Sequence, residues 1–159
     1  MRAMARAAAL LLALAGAACT TSPPPNAPAP AAAPAAAKAP PTAFEATLTG
    51  PQNVPPTVSI GTGRALLTLD PDHTLHWRIE HRGLSALITA ARFHGPATAG
   101  AVAPAVLDAG AAGLASPIEG SAHLDAGQLA DLTAGRWYVE IATRSNPDGE
   151  IRGQLLPSP

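Results

Sequence analysis

The chain has 159 residues, a formal net charge of −1 at neutral pH and only 3% aromatic residues. A chain of this length corresponds to one domain by default. The small net charge gives no indication of nucleic acid as a partner, because such binding relies on clusters of basic residues. The low aromatic content also argues against a ligand pocket lined by large side chains.

The first 18 residues are predicted to be a signal peptide. Arg2 and Arg6 supply the positive charge at its start, and residues 7–15 form an apolar run that is too short to span a bilayer. Small residues then lead to Cys19, the single cysteine of the chain. This order resembles a lipobox, in which signal peptidase II cleaves before the cysteine and a diacylglyceryl group is attached to it.

The segment before Cys19 departs from the usual lipobox at one position, and it also allows a second cleavage site. A leucine usually lies three residues before the cysteine, and Gly16 occupies that position here. Ordinary cleavage after Ala17 or Ala18 also fits the small-residue rule. We expect lipidation of Cys19, because a free exposed thiol is a liability in an exported protein. The resemblance implies an exported protein anchored at the cell envelope. Because Thr20, and not Asp, follows the cysteine, the expected location in a Gram-negative source is the outer membrane. Without lipidation, the protein would be periplasmic or secreted.

Residues 19–42 are predicted to form a disordered linker that begins at the lipidated cysteine. The segment consists mainly of Pro, Ala, Ser and Thr, and Lys38 is its single charged residue. Such a sequence buries too little apolar surface to offset the entropy of ordering. In polyproline II geometry, at ~3.1 Å per residue, it would separate a domain from its anchor by up to about 70 Å.

Residues 43–157 are predicted to form an all-β domain, because apolar and polar residues alternate through most of them. Asp125 is expected to cap a short helix over Ala126–Thr133. About eight short strands with one helix predict an antiparallel sandwich or closed barrel. The predicted strands are Phe44–Leu48, Arg64–Leu69, Leu75–Glu80, Ile88–His94, Val102–Leu107, Ile118–Leu124, Trp137–Ile141 and Glu150–Leu155.

The last two strands are predicted to form a hairpin around Asn146-Pro147-Asp148-Gly149. This tetrapeptide has the residue order of a type I turn, with Pro at the second position and Gly at the last. Antiparallel sheets usually leave one face exposed to water, so the second face of the hairpin is expected to point to solvent. The first face carries Trp137, Val139, Ile141, Ile151 and Leu155, and the second carries Tyr138, Glu140, Glu150, Arg152 and Gln154.

Three segments together resemble the CHRD domain family: Phe44–Gly50, Ala91–Ala97 and Trp137–Leu155. The last segment, with its Trp-Tyr-Val and Asn-Pro-x-Gly-Glu-Ile-Arg-Gly-Gln runs, is the most specific. The resemblance covers roughly residues 43–157 and implies a Greek-key β-sandwich. The motif residues, which we interpret as structural, are Arg92, His94, Gly95, Pro96, Trp137, Tyr138, Asn146, Pro147, Gly149, Glu150, Arg152 and Gly153.

Two of these motif residues have more specific expected roles. Gly153 would allow close approach of a neighbouring backbone or of the Trp137 ring. Arg152 would form an ion pair with Glu140 or Glu150, or would stack on an aromatic ring.

The five histidines raise the question of a metal site, which needs three or four converging ligands. Many members of the resembling family have a His-x-His pair in the fourth strand, but Arg92 takes the first of these positions here and cannot bind a metal. A later histidine of the family pattern is replaced by Ala142 or Arg144. We therefore expect no metal, and we expect the His94 ring to hydrogen-bond to nearby loop backbone. The remaining candidate ligands are His76, His94 and His123.

The sequence contains no motif for nucleophilic catalysis, such as Gly-x-Ser-x-Gly. Glu140 and Glu150 lie on neighbouring strands as glycosidase carboxylates would, but Arg136 and Arg152 favour ion pairs across the hairpin instead. The expected function is a non-catalytic cell-envelope lipoprotein without a cofactor, which binds an unknown protein or envelope ligand or has a structural role. The alternative is a periplasmic copper- or zinc-binding protein similar to superoxide dismutase.

Overall fold

The computed structural model describes residues 42–158. The predicted signal peptide, Cys19 and nearly all of the predicted linker lie outside these residues. Within them, no helix has the length and apolar character that crossing a membrane requires.

The described region is an antiparallel β-domain with one short α-helix. The strands follow the spatial order β5-β4-β7-β8-β1-β2-β3-β6, and β9 pairs with β1 outside this path. The predicted all-β sandwich or barrel of about eight strands and one helix is confirmed. The elements are β1 (Ala43–Thr49), a 3₁₀ turn (Gly50–Gln52), β2 (Thr62–Leu69), β3 (Thr74–Arg82), β4 (Ile88–His94), β5 (Ala105–Asp108), β6 (Ile118–His123), α1 (Ala126–Thr133), β7 (Tyr138–Thr143), β8 (Ile151–Gln154) and β9 (Leu156–Pro157).

The sheet curls until strands that are distant along its path face each other across one core. The Trp77 ring on β3 meets the Phe93 ring on β4 edge to face, with centroids 5.3 Å apart, and Trp137 lies 6.2 Å beyond Phe93. The Trp77 indole Nε1 also donates a 3.1 Å hydrogen bond to the Ala109 carbonyl, which follows β5. These contacts bury the aromatic residues between the two halves of the sheet, where aromatic pairs contribute strongly to stability.

Helix α1 begins as the sequence predicts. The Asp125 carboxylate accepts a 2.8 Å hydrogen bond from the Gln128 backbone N–H, and the Gln128 side chain accepts one of 3.1 Å from the Asp125 N–H. This reciprocal capping box satisfies two backbone donors at the helix start. Leu132 of the helix is buried in the core.

The fifth strand is shorter than predicted. The expectation was a strand from Val102, but β5 begins at Ala105. A side chain engages part of the preceding backbone, since the Ala103 N–H and C=O both hydrogen-bond to the Tyr138 hydroxyl at 3.2 Å. The 3₁₀ turn and β9 had no counterpart in the prediction.

The expectation that the second face of the β7–β8 hairpin points to solvent is wrong. Tyr138 and Arg152 are each only 2% exposed, and Glu150 is fully buried. The irregular segment after β4 folds back over this face, and the Ala101 carbonyl accepts a 2.6 Å hydrogen bond from Arg152 Nη2. Tyr138 and Arg152 are therefore buried beneath this loop.

The outer face of β3 is exposed to solvent. Arg78 on this face forms salt bridges with Glu80, at 3.0 Å, and with Glu119 on β6. This face therefore has the ordinary charged surface of an antiparallel sheet.

Candidate functional site

A buried carboxylate, Glu150, lies at the end of the β7–β8 turn. The turn itself forms as predicted, since the Gly149 N–H donates a 3.1 Å hydrogen bond to the Asn146 carbonyl. Gly149 has a φ of 116°, a conformation that glycine adopts readily. The turn thus directs the Glu150 side chain into the protein rather than to solvent.

Side chains from three separate parts of the chain hold the Glu150 carboxylate. Its Oε1 atom accepts hydrogen bonds of 2.7 Å from the Ser59 hydroxyl and of 2.7 Å from the Ser85 backbone N–H. Its Oε2 atom accepts bonds of 2.8 Å from the Ser85 hydroxyl and of 2.6 Å from the Thr143 hydroxyl. The carboxylate therefore ties the β1–β2 and β3–β4 loops to the hairpin.

This arrangement keeps Glu150 ionised. Burial by itself opposes the charged form, but the hydrogen bonds from Thr143, Ser59 and Ser85 outweigh it and lower the pKa of Glu150 to about 2. A carboxyl group with this pKa does not take up a proton near neutral pH. Glu150 is therefore suited to holding loops together and not to proton transfer.

A stack of three side chains crosses the buried polar face of the sheet. The Cζ atom of Arg152 on β8 lies 3.5 Å from the centre of the Tyr138 ring on β7. The His94 ring on β4 is almost parallel to the Tyr138 ring, with centroids 4.8 Å apart. Of the alternatives predicted for Arg152, the structure shows aromatic stacking.

The ion pairs predicted across the hairpin do not form. Arg136 pairs with Asp131 instead, and no salt bridge joins Arg152 to Glu140 or Glu150 within the part of the chain that the structure describes. Arg152 is occupied by the Tyr138 ring and the loop carbonyl, and the Glu150 oxygens are occupied by hydroxyl and backbone donors.

His94 hydrogen-bonds to loop backbone, as expected. Its Nδ1 atom lies 3.0 Å from the Ala103 carbonyl oxygen, and its Nε2 atom lies 4.0 Å from Glu140 Oε1. Burial lowers the pKa of His94, and burial raises the pKa of Glu140. Both shifts favour the neutral forms, so their contact is not a strong ion pair.

The three candidate metal ligands have different neighbours. His76 on β3 contacts Asp70, with 3.2 Å between Nε2 and Oδ2, and His123 on β6 stacks against His73 at 6.2 Å. His94 is in the stack on β4. Among the described residues, no group of three or more His, Cys, Asp or Glu side chains could hold a metal ion. The metal-binding alternative remains a prediction, which metal analysis of protein dialysed against Cu²⁺ or Zn²⁺ would test.

Two motif glycines have close neighbours. A Cβ atom on Gly153 would lie 2.5 Å from the Thr47 carbonyl oxygen on β1, so the neighbouring backbone approaches this residue. A Cβ atom on Gly95 would lie 2.5 Å from Cδ1 of Trp137. The indole ring therefore packs against Gly95, whereas the atoms nearest to a Cβ at Gly153 belong to β1.

A cavity of about 290 Å³ adjoins Arg152 on the same side of the sheet; we call it the Arg152 cavity. Its walls come from the loop after the 3₁₀ turn, from the loop after β4 and from β8. Its lining residues are Pro51, Gln52, Asn53, Val54, Pro56, Ala99, Gly100, Arg152 and Gln154.

The Arg152 cavity has buried polar atoms on its lining residues. Both amide atoms of Asn53, Nη1 of Arg152 and Oε1 of Gln154 are buried and have no hydrogen-bond partner among the described residues. Buried polar groups are nearly always hydrogen-bonded, so several unpartnered groups around one cavity require an explanation. Arg152 was predicted as a motif residue and Gln154 only as a residue of the solvent face of the hairpin, and no role was predicted for Asn53. The available signal for Asn53 was its position as a polar residue among prolines, because prolines cannot join a sheet ladder.

A larger groove of about 560 Å³ lies on the outer face of β1, β2 and β3. Arg64 at its wall forms an exposed 2.9 Å salt bridge with Glu45, and Glu80 pairs with Arg78. These side chains satisfy one another at the surface. Among the described residues that line this groove, none has a buried polar side-chain atom without a hydrogen-bond partner.

The comparison with known protein families agrees with this structure. A family model of the CHRD domain matches residues 44–155. The chain belongs to the CHRD domain family. A search of curated proteins and a search of solved structures each found no match.

Proposed function

We propose that this protein is a non-catalytic ligand-binding domain that is held at the cell envelope by a lipid on Cys19. The observation that carries the binding role is Arg152, a 98% buried cation beside a cavity and without a salt-bridge partner among the described residues. A cation in this position is costly to the fold unless something compensates for it. A bound ligand would provide that compensation.

The state of the titratable side chains supports a role without catalysis. Glu150 has a pKa of about 2 and all four of its carboxylate hydrogen bonds are directed to the protein itself. His94 hydrogen-bonds to Ala103 and packs on Tyr138. General acid–base catalysis needs a group with a pKa near the working pH and within reach of substrate, and Glu150 meets neither condition.

The anchoring part of the proposal is supported by the sequence. Positive residues, a short apolar run and small residues precede Cys19, and a segment rich in proline and alanine separates it from the domain. Such an anchor would hold the domain at a membrane surface while leaving the Arg152 cavity open to a protein or other ligand in the envelope.

Mass spectrometry of the mature N-terminus tests the anchor. We expect the first residue to be Cys19 with a covalently attached diacylglyceryl group, and we expect the protein in the membrane fraction. The Cys19→Ser variant is the matched control and should be released from membranes. An unmodified mature terminus, or equal membrane association of the Cys19→Ser variant, would contradict the lipoprotein role.

A further inference from the structure

We propose that the Arg152 cavity binds a carboxylate group that has a hydrogen-bond donor next to it. The inference rests on the proposed binding role and names the chemical class of its ligand. Such a group occurs in uronic acids, where hydroxyls are close to the carboxylate, and in acylated amino acids or peptide C-termini, where an amide N–H is close to it.

The bonding of Arg152 explains why the ligand is an anion. One Arg152 nitrogen, Nη2, donates to the Ala101 carbonyl at 2.6 Å, and the guanidinium stacks on Tyr138. The second nitrogen, Nη1, is buried and has no partner among the described residues. A carboxylate is the preferred partner for a planar guanidinium, because its two oxygens match the spacing of the N–H groups.

The nearest carboxyl group on a neighbouring strand does not fill this role. Glu140 lies opposite Arg152 in the register of β7 and β8. It is not within salt-bridge distance of Arg152, and its side chain lies against Gly149. Glu140 therefore acts on Arg152 only at longer range, and the Nη1 hydrogen-bonding positions are left for an external anion.

The neighbouring amides explain why the ligand also has a donor. Gln154 Nε2 already donates to the carbonyls of Ala97 and Gly135, at 2.9 and 2.8 Å, which leaves its Oε1 atom as a free acceptor. Asn53, which is 4% exposed, has both a free N–H₂ donor and a free oxygen acceptor. Donors and acceptors on one cavity match a ligand that both accepts and donates hydrogen bonds.

The size of the cavity restricts the ligand further. At about 290 Å³, it lies just below the range of roughly 300–1,000 Å³ that is typical of ligand sites. Pro51, Val54, Pro56 and Ala99 supply small apolar walls around the polar groups. The cavity fits a single sugar or amino-acid residue, either free or at the end of a longer chain.

Isothermal titration calorimetry on the purified full chain tests the proposal with two pairs of probes. Glucuronate is compared with glucose, and N-acetylalanine is compared with N-acetylalaninamide, so each pair differs mainly in the carboxylate. We expect at least one carboxylate probe to bind at least 10-fold more tightly than its neutral counterpart. Binding of glucuronate alone would support a uronate ligand, and binding of N-acetylalanine alone would support an amino-acid or peptide ligand.

Three substitutions make the test specific to the cavity. Asn53→Asp and Gln154→Glu each place a negative charge on its wall and should weaken carboxylate binding at least 10-fold. Arg64→Met is the control, because it removes a cation outside the cavity and should leave the affinity unchanged. Circular dichroism shows whether each variant is folded, and two independent variants keep the test valid if one of them does not fold.

Equal affinity for the acids and their neutral counterparts would overturn the proposal, as would a lack of binding by both acids to folded protein. Unchanged affinity in the folded Asn53→Asp and Gln154→Glu variants would also overturn it. These results concern the cavity alone. A failure of the anchored role would appear instead in the mass of the N-terminus and in the fractionation of the Cys19→Ser variant.

Discussion

Arg152 and Tyr138 form a cation–π contact beneath a loop, with 3.5 Å between the Arg152 Cζ atom and the centre of the Tyr138 ring. The tyrosine hydroxyl meanwhile hydrogen-bonds to both the N–H and the C=O of Ala103 in that loop. The pair thus joins the hairpin to the segment that covers it. The second face of the hairpin is a packed polar layer with a cavity at its edge.

Replacing Arg152 by lysine should destabilise the domain. Lysine cannot reproduce both the stacking on Tyr138 and the directed hydrogen bond to Ala101, so we expect a loss of about 2 kcal/mol in the free energy of unfolding. Urea denaturation measures this loss. Arg64→Lys, at an exposed salt bridge, is the control and should cost less than about 0.5 kcal/mol. Equal effects of the two substitutions would show that the buried stack is not important for stability.

Glu150→Gln should also destabilise the domain, although it preserves the shape of the side chain. The new amide N–H₂ would face donors that now bond to the carboxylate, leaving some of them unpaired, at a cost of roughly 2–4 kcal/mol. Because Ser59 and Ser85 lie on separate loops, hydrogen exchange should increase in both loops. Glu45→Gln removes an exposed carboxylate from a salt bridge and provides the control. Unchanged exchange in both loops would contradict the proposed role of Glu150.

The low pKa of Glu150 predicts a specific dependence of stability on pH. The pKa is about 2 in the folded protein, against an ordinary value of 4.5. Since the folded pKa is the lower one, the contribution is fully present above about pH 4.5 and is lost as the pH falls towards 2. The shift corresponds to roughly 3 kcal/mol.

Chemical denaturation at a series of pH values between about 5 and 2 would measure this contribution. The wild-type protein should lose more stability on acidification than Glu150→Gln, and the two curves should converge near pH 2. Parallel curves would show that Glu150 is not the group responsible.

Gly153→Val should lower the melting temperature by several degrees. A Cβ atom at this position would lie 2.5 Å from the Thr47 carbonyl oxygen and 2.9 Å from its carbon, so β1 and β8 would have to separate. Differential scanning calorimetry measures the change. Thr68→Val introduces the same residue at an exposed position of β2 and should have little effect. An unchanged melting curve for Gly153→Val would contradict the close approach of the two strands.

Local patterns in the sequence predicted the strands, the helix and the turn. Alternation predicted the strand Leu75–Glu80, and its apolar residues Leu75, Trp77 and Ile79 are buried in β3. The Asp125 cap and the Asn146–Gly149 turn form where they were expected. These features depend on residues within a few positions of one another. The family resemblance, carried mainly by the final hairpin, was confirmed by the match to the CHRD domain over residues 44–155.

The candidate site required the tertiary structure. Glu150 is held by Ser59 and Ser85, which are 91 and 65 residues away along the chain, and the cavity joins Asn53 to Arg152. Alternation in a strand shows which side chains share a face but not what covers that face. The sequence by itself therefore determined the elements and the family. The tertiary structure decided which polar residues are buried, because that depends on where loops distant in sequence pack.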